Sequence, residues 1–152
     1  MFALKIVGTV CITGATTLYA RGLVNELSCR IAALKAIKQS FTTLKGELRY
    51  GVETLPSAFM HVGERCSCGQ ETVRDFFWNT GNRLKTENGS ILKEVWEEEA
   101  KKLSATAHLN GNECDNLIAV ADSLGYLDLT QQTNNIELYL QSVDESIEAL
   151  SG

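Results

Sequence analysis

The feature that most constrains this chain is an apolar run at its N-terminus. Phe2 to Ala20 contains a single charged residue, Lys5. As a helix, about 19 residues nearly cross a hydrocarbon core of about 30 Å, and Lys5 lies close enough to one end to reach the interface. Basic residues follow the run, which by the positive-inside rule favours a cytoplasmic location for what comes after it. We predict a transmembrane anchor over residues 1–21 and a cytosolic all-α domain over residues 22–152.

Two other interpretations of this run remain open. The sequence Leu18-Tyr19-Ala20 ends an apolar stretch with a small residue, as a signal-peptide cleavage site would, although Leu18 and Tyr19 fit an A-x-A site poorly. Cleavage there would give a secreted helical protein that begins near Arg21. Cys11 is a weaker candidate for a lipoprotein site, because Val10 precedes it where a small residue is preferred.

Small residues recur on one face of the predicted span. Thr9, Thr13 and Thr17 are spaced by four, so they share a helical face that could pack against a partner span. The alternative is that each threonine bonds to the backbone of its own helix. The spacing favours neither interpretation.

The remainder of the chain shows helical periodicity. A stripe from Leu27 to Leu48 predicts that the first helix continues to Tyr50, where Gly51 breaks it. The later predictions are a short helix begun by Thr54 and Pro56 and ended by Gly63, a helix over Glu71–Lys85 stopped at Asn88-Gly89-Ser90, one through Ile91 and Trp96 with a solvated Glu97-Glu98-Glu99 run, one from Cys114 to Leu124 closed by a left-handed Gly125, and a last helix from Asp128 with Gln131 at capping-box spacing. No segment alternates as a half-buried strand does. The fold class predicted is therefore all-α, with an N-terminal transmembrane helix followed by a bundle of about six helices.

Charge is distributed unevenly along the chain, whose net charge is −5. Residues 21–50 are basic, and residues 103–152 contain no Lys or Arg but many acids. Such an acidic surface argues against nucleic acid as a partner. It also predicts that the basic face carrying Lys38 and Lys45 packs near the acidic last helix or an anionic lipid leaflet.

The sequence lacks the usual signatures of catalysis. We find no phosphate-binding glycine loop, metalloprotease motif or nucleophile elbow, and the odd set of five cysteines does not form a disulfide framework. His61, Cys66 and Cys68, with His108 or Cys114, make a weak metal constellation because C-x-C lacks a second cysteine pair. We therefore assign no catalytic residue, metal or cofactor. Trp78 and Trp96 are expected in the core, with a partner-binding role open for one of them.

Two blocks of sequence resemble a known family. The first is Gly46-Glu47-Leu48-Arg49-Tyr50-Gly51 followed by Thr54 to Phe59, and the second is Leu124-Gly125-Tyr126-Leu127-Asp128 with Gln132 and Ile136. Their order after a weak N-terminal span resembles the stage III sporulation protein AB family. The resemblance covers nearly the whole chain.

The resemblance implies a function that composition does not show. It implies a non-enzymatic platform in the mother-cell membrane facing the forespore, required for spore formation, with a soluble domain similar to type II secretion F proteins. The implied partners are a cytosolic secretion-type ATPase and other membrane components of the complex, and self-association also remains open. Family members are expected to carry a second C-terminal span, whereas this sequence ends at Ser151-Gly152 after an acidic helix, so we predict a single pass here.

These expectations define a candidate interface and a competing function. The candidate interface residues are Lys38, Lys45, Glu47, Arg49, Tyr50, Asp128 and Gln132. The competing hypothesis is a single-span membrane sensor, which predicts a ligand-sized apolar cavity inside the helical domain and a domain outside the cell.

Overall fold

Six α-helices make up the described part of the chain, as periodicity predicts. The computed structural model describes residues 1–50, 54–67, 69–87, 89–125 and 128–152. The helices are α1 (Phe2–Tyr50), α2 (Leu55–Glu64), α3 (Glu71–Thr86), α4 (Leu92–Ala107), α5 (Gly111–Leu124) and α6 (Leu129–Ser151). These residues contain no strand, and the predicted all-α class is confirmed.

The first helix joins the apolar run to the core without interruption. The helical window that qualifies as a candidate span has a mean hydropathy of 1.4, and none of it is buried in the protein. Burial begins further on, at Ala33 and Leu34, and continues through Ile37, Phe41 and Leu44. The prediction that the helix runs on to Tyr50 is therefore confirmed, while Gly51 lies outside the described residues.

Aromatic side chains occupy the centre of the bundle. Trp96 of α4 is fully buried, with its ring centroid 4.8 Å from that of Phe76 and 5.3 Å from that of Phe59. Phe41 of α1 lies 4.7 Å from Tyr139 of α6, measured between ring centroids. These edge and tilted contacts add to the free energy gained by burying apolar area, so α1 is held by the same cluster that joins α2, α3, α4 and α6.

Ion pairs fix the direction of the helices relative to α1. Lys38 pairs with Asp144 and Lys45 with Glu137, so α6 runs antiparallel to α1. Arg30 pairs with Glu113 at the start of α5. The bundle therefore has a proximal end, near Arg30 and the α4–α5 turn, and a distal end, near Tyr50 and the start of α6.

Two predicted helix ends were wrong at glycines. Gly63 lies inside α2 rather than after it, because α3 packs against it: a Cβ there would stand 3.1 Å from the Cβ of Trp78. Gly125 has φ −74°, an ordinary right-handed conformation. The left-handed cap instead falls on His108, at φ 57°, after α4.

Other predicted helix starts need smaller corrections. Ile91 precedes α4 and is exposed, and Ser90 donates its hydroxyl to the Glu87 carbonyl instead of capping α4. Asp128 does cap α6, but its carboxylate accepts from the Thr130 N–H, two residues on. Asn88 lies outside the described residues.

Candidate interaction surfaces

The threonines of the apolar run bond to their own helix. The hydroxyls of Thr9, Thr13 and Thr17 each donate to the carbonyl four residues earlier, at 2.8 to 2.9 Å. Their hydrogen-bonding capacity is thus satisfied without a partner, and they expose methyl groups on the outer face. Packing of this face against another span stays a prediction.

Lys38 and Lys45 lie along the seam between α1 and α6. The Lys38 ammonium is 2.6 Å from the Asp144 carboxylate, and both side chains are nearly half exposed. Lys45 donates to the Glu137 carboxylate and holds the pKa of Glu137 below its usual value, with Arg49 adding to the effect. The basic face of α1 therefore faces the acidic last helix, as the charge pattern predicts, and both lysines have partners inside the chain.

Three other candidate residues also have structural partners. Glu47 accepts from the guanidinium of Arg65 at 2.8 Å. Asp128 caps α6, and the side-chain amide of Gln132 donates to the Leu124 carbonyl at 3.0 Å. These residues hold helix ends together at or near the distal end.

The candidates left most available are Arg49 and Tyr50. Tyr50 is 81% exposed at the last position of α1, and Arg49 beside it is also exposed. Leu129, at the start of α6, is 41% exposed at the same end of the bundle. We call Arg49, Tyr50 and Leu129 the distal edge.

A buried ion pair at the proximal end was not predicted. The Arg30 guanidinium makes two bonds to the Glu113 carboxylate, at 2.8 and 2.9 Å. The same carboxylate accepts from the Asn110 N–H, while the Asn110 side chain accepts from the Glu113 N–H, which completes a capping box. Its N-x-x-E spacing is readable in the sequence. The partnership with Arg30 is not, because it spans 83 positions.

The acidic run at Glu97-Glu98-Glu99 is only partly a solvated face, contrary to the prediction. Glu99 is buried at 3% exposure, and it receives Arg83 of α3 and Lys102 of its own helix. Arg83 also bonds to Glu98, which lowers the pKa of that carboxyl. The run therefore fastens α3 to α4.

The two tryptophans differ in environment. Trp96 is fully buried, and its indole N–H donates to the Leu117 carbonyl at 2.8 Å. Trp78 is 38% exposed, so the prediction that both are core residues was wrong for Trp78. It follows the buried Phe76 and Phe77 by about a third of a turn, which carries it from the core face toward the surface beside α2.

The residues proposed as metal ligands do not assemble into a site. Across the described ranges, no three His, Cys, Asp or Glu side chains come together as metal ligands would, and Cys68 lies outside those ranges. Cys66 instead contacts the Ser40 hydroxyl at 3.5 Å.

The interior also bears on the sensor hypothesis. A cavity between α1, α5 and α6, lined by Leu34, Tyr139 and Val143 among others, has a volume of about 10 Å³. Such a space holds one water at most. This region of the interior therefore lacks the ligand-sized cavity that a sensor requires, and the larger spaces described below are open grooves.

The fold and its surfaces define an all-α bundle carried on a helix with the length and composition of a membrane span. Its described polar residues mostly fasten helices to one another and leave a distal edge exposed. The family model described as stage III sporulation protein AB matches residues 5–151, so the chain belongs to that family and has a role in sporulation.

Individual relatives agree with this assignment. Stage III sporulation protein AB of Bacillus subtilis (strain 168) is 25% identical over 143 residues, which cover 94% of this chain and 81% of the relative. A solved structure of a stage III sporulation protein AB has a TM-score of 0.72 at 22% identity and covers 82% of this chain and 95% of its own. That structure supports the fold.

Proposed function

We propose that this protein is a non-enzymatic, membrane-anchored platform of the sporulation complex between mother cell and forespore, and that its distal edge docks a cytosolic secretion-type ATPase. The observation that carries the proposal is α1, a single helix from the apolar run to Tyr50. Its exposed first part suits a lipid environment, and its last turn ends in side chains that point away from the bundle's own contacts.

The chemistry of the distal edge suits protein docking. Tyrosine and arginine are the side chains that most often dominate binding energy at protein interfaces, and Leu129 adds apolar area next to them. In contrast, Lys38, Lys45 and Glu47 are engaged within the chain. Reversing Lys38 and Lys45 would therefore disturb the α1–α6 seam first, so it is a poor probe of a partner interface.

The positive-inside rule supports a cytoplasmic bundle. Arg21, Arg30 and Lys35 follow the apolar run, and short basic segments after a span favour the cytoplasmic side. In the mother cell this side is where a cytosolic ATPase would meet the distal edge.

Capture of the ATPase by the full chain in detergent tests the proposal. Arg49→Glu and Tyr50→Ala should each lower the captured amount about tenfold, since losing one central contact costs roughly 1.4 kcal/mol. Lys35→Glu is a matched control, because it reverses an exposed base on the same helix. Spore yield from cells carrying each variant should follow the same order.

Two results would count against the proposal. Capture that is unchanged by both distal variants would exclude the distal edge as the docking surface. Loss with Lys35→Glu equal to that with Arg49→Glu would show that only total charge matters.

A further inference from the structure

A groove between α5 and α6 lies on the side of the bundle, away from the distal edge. It has a volume of about 430 Å³ and is open to solvent. Ala119 and Val120 of α5 and Leu138 and Tyr139 of α6 contribute its apolar surface. Leu138 is 62% exposed, so the groove has an apolar wall that no part of the described chain covers.

Polar groups in the groove can fix the orientation of an occupant. Asn116 and Asn135 line it from opposite helices and bring amide groups that both donate and accept. The hydroxyls of Ser123 and Ser142 already donate to backbone carbonyls of their own helices. An apolar strip between amide groups is typical of a surface that receives an amphipathic segment.

The charge around the groove has one sign. Asp122 lines it, Asp115 lies one turn before Ala119, and Glu145 lies two turns after Leu138 on the same face of α6. Residues 103–152, which include both groove helices, contain no Lys or Arg. Lys93 of α4 reaches Asp122, but both side chains are more than half exposed, so this pair is weakened by solvent.

We infer that the α5–α6 groove binds a basic amphipathic helix of a partner protein, with apolar side chains on Leu138 and Val120 and lysine or arginine toward Asp115, Asp122 and Glu145. The lining runs about two helical turns along each helix, which suits a partner segment of two to three turns. Rim charges of this kind steer association and select against acidic partners more than they add affinity.

Binding of a model helix to the full chain in nanodiscs of zwitterionic lipid tests this inference. The probe is a labelled peptide of about 14 residues, with leucines at helical spacing on one face and lysines elsewhere. Its counterpart carries glutamate in place of lysine. Fluorescence anisotropy, with empty nanodiscs as the blank, should show binding of the lysine peptide and none of the glutamate peptide.

Two variants with the same change of charge locate the site. Ala119→Lys places a long base in the groove and should weaken the lysine peptide about tenfold. Ala105→Lys, on an exposed position of α4, should change affinity by less than about twofold. Leu138→Gln, at an exposed position where folding is preserved, should also weaken binding without changing charge.

Several outcomes would overturn the inference. These are equal binding of the two peptides, equal effects of Ala119→Lys and Ala105→Lys, or a wild-type oligomer that Ala119→Lys converts to monomer in sedimentation. The last outcome would show that a second copy of this chain fills the groove. ATPase capture should be unchanged by Ala119→Lys, so this inference and the proposed function fail separately.

Discussion

At the scale of single residues, the closest approach between helices depends on Gly81 of α3. A Cβ at this position would stand 2.5 Å from the Pro56 carbonyl oxygen and 2.7 Å from the Met60 Cγ of α2. Neither the carbonyl nor the buried helix face can move away without separating α2 from α3. The glycine is thus required for the packing of this hairpin and not for an unusual backbone angle.

We expect Gly81→Ala to lower the free energy of unfolding by about 2 kcal/mol, as overpacking of a core does. Gly46→Ala is the matched control, because a Cβ at Gly46 in α1 meets nothing within 4 Å. Alanine there should stabilise by about 0.5 kcal/mol through helix propensity. Urea unfolding of the full chain in detergent would measure both, and equal effects would contradict this account of α2 and α3.

The second residue-scale prediction concerns Glu113. Glu113→Ala leaves the Arg30 guanidinium and the Asn110 N–H without their acceptor, so we expect a loss of about 2 kcal/mol. Glu145→Ala, at an exposed carboxylate of α6, should stay within about 0.5 kcal/mol of wild type. A comparable shift of the melting temperature in both variants would show that overall charge, and not the clasp, is responsible.

At the scale of helices, the sequence predicts existence and order better than partners. The spacing of apolar residues in α1 from Leu27 to Leu48 follows from the burial of one face, so the helix and its length could be predicted. Which face of a second helix meets it depends on packing order, and so the Arg30–Glu113 and Arg83–Glu99 contacts could not. Trp78 was misplaced for the same reason, since periodicity locates a stripe but not its edge.

The seam between α1 and α6 should depend on pH. The pKa of Glu137 is lowered in the folded protein by its bond to Lys45. A depressed carboxylate pKa contributes stability that is present above the unfolded value, near 4.5, and is lost as the pH falls through the folded value. The melting temperature should therefore fall on acidification below this pH.

Removing the titrating group should remove part of that dependence. We expect Glu137→Gln to have a lower melting temperature than wild type at pH 7 and a smaller further decrease on acidification. Glu145→Gln, which leaves the seam intact, should show the wild-type dependence. If Glu137→Gln keeps the full acid-induced decrease, the Lys45–Glu137 pair does not contribute to it.

At the scale of the whole molecule, the apolar first part of α1 should decide where the protein resides. Arginine at the centre of a span costs about 3 kcal/mol, so Val10→Arg with Ile12→Arg should release the protein from the membrane fraction. Val24→Arg with Leu23→Arg is the matched control, because Val24 is as exposed as Val10 but lies beyond the run. Carbonate-washed membranes measure retention.

The result also separates the anchor from the cleaved alternatives. An intact N-terminus on the membrane-retained protein supports the anchor, whereas a mature N-terminus near Arg21 would identify a signal peptide. Equal retention of both double variants would mean that the bundle binds the membrane by another surface.

The continuity of α1 also has a mechanical consequence. About 30 residues separate Ala20 from Tyr50, which at 1.5 Å per residue makes a rigid arm of about 45 Å. A tilt of the lipid-embedded part by about 10° would then displace the tip of the arm by about 8 Å. A small reorientation in the bilayer would thus be delivered, amplified, to whatever is attached at the far end.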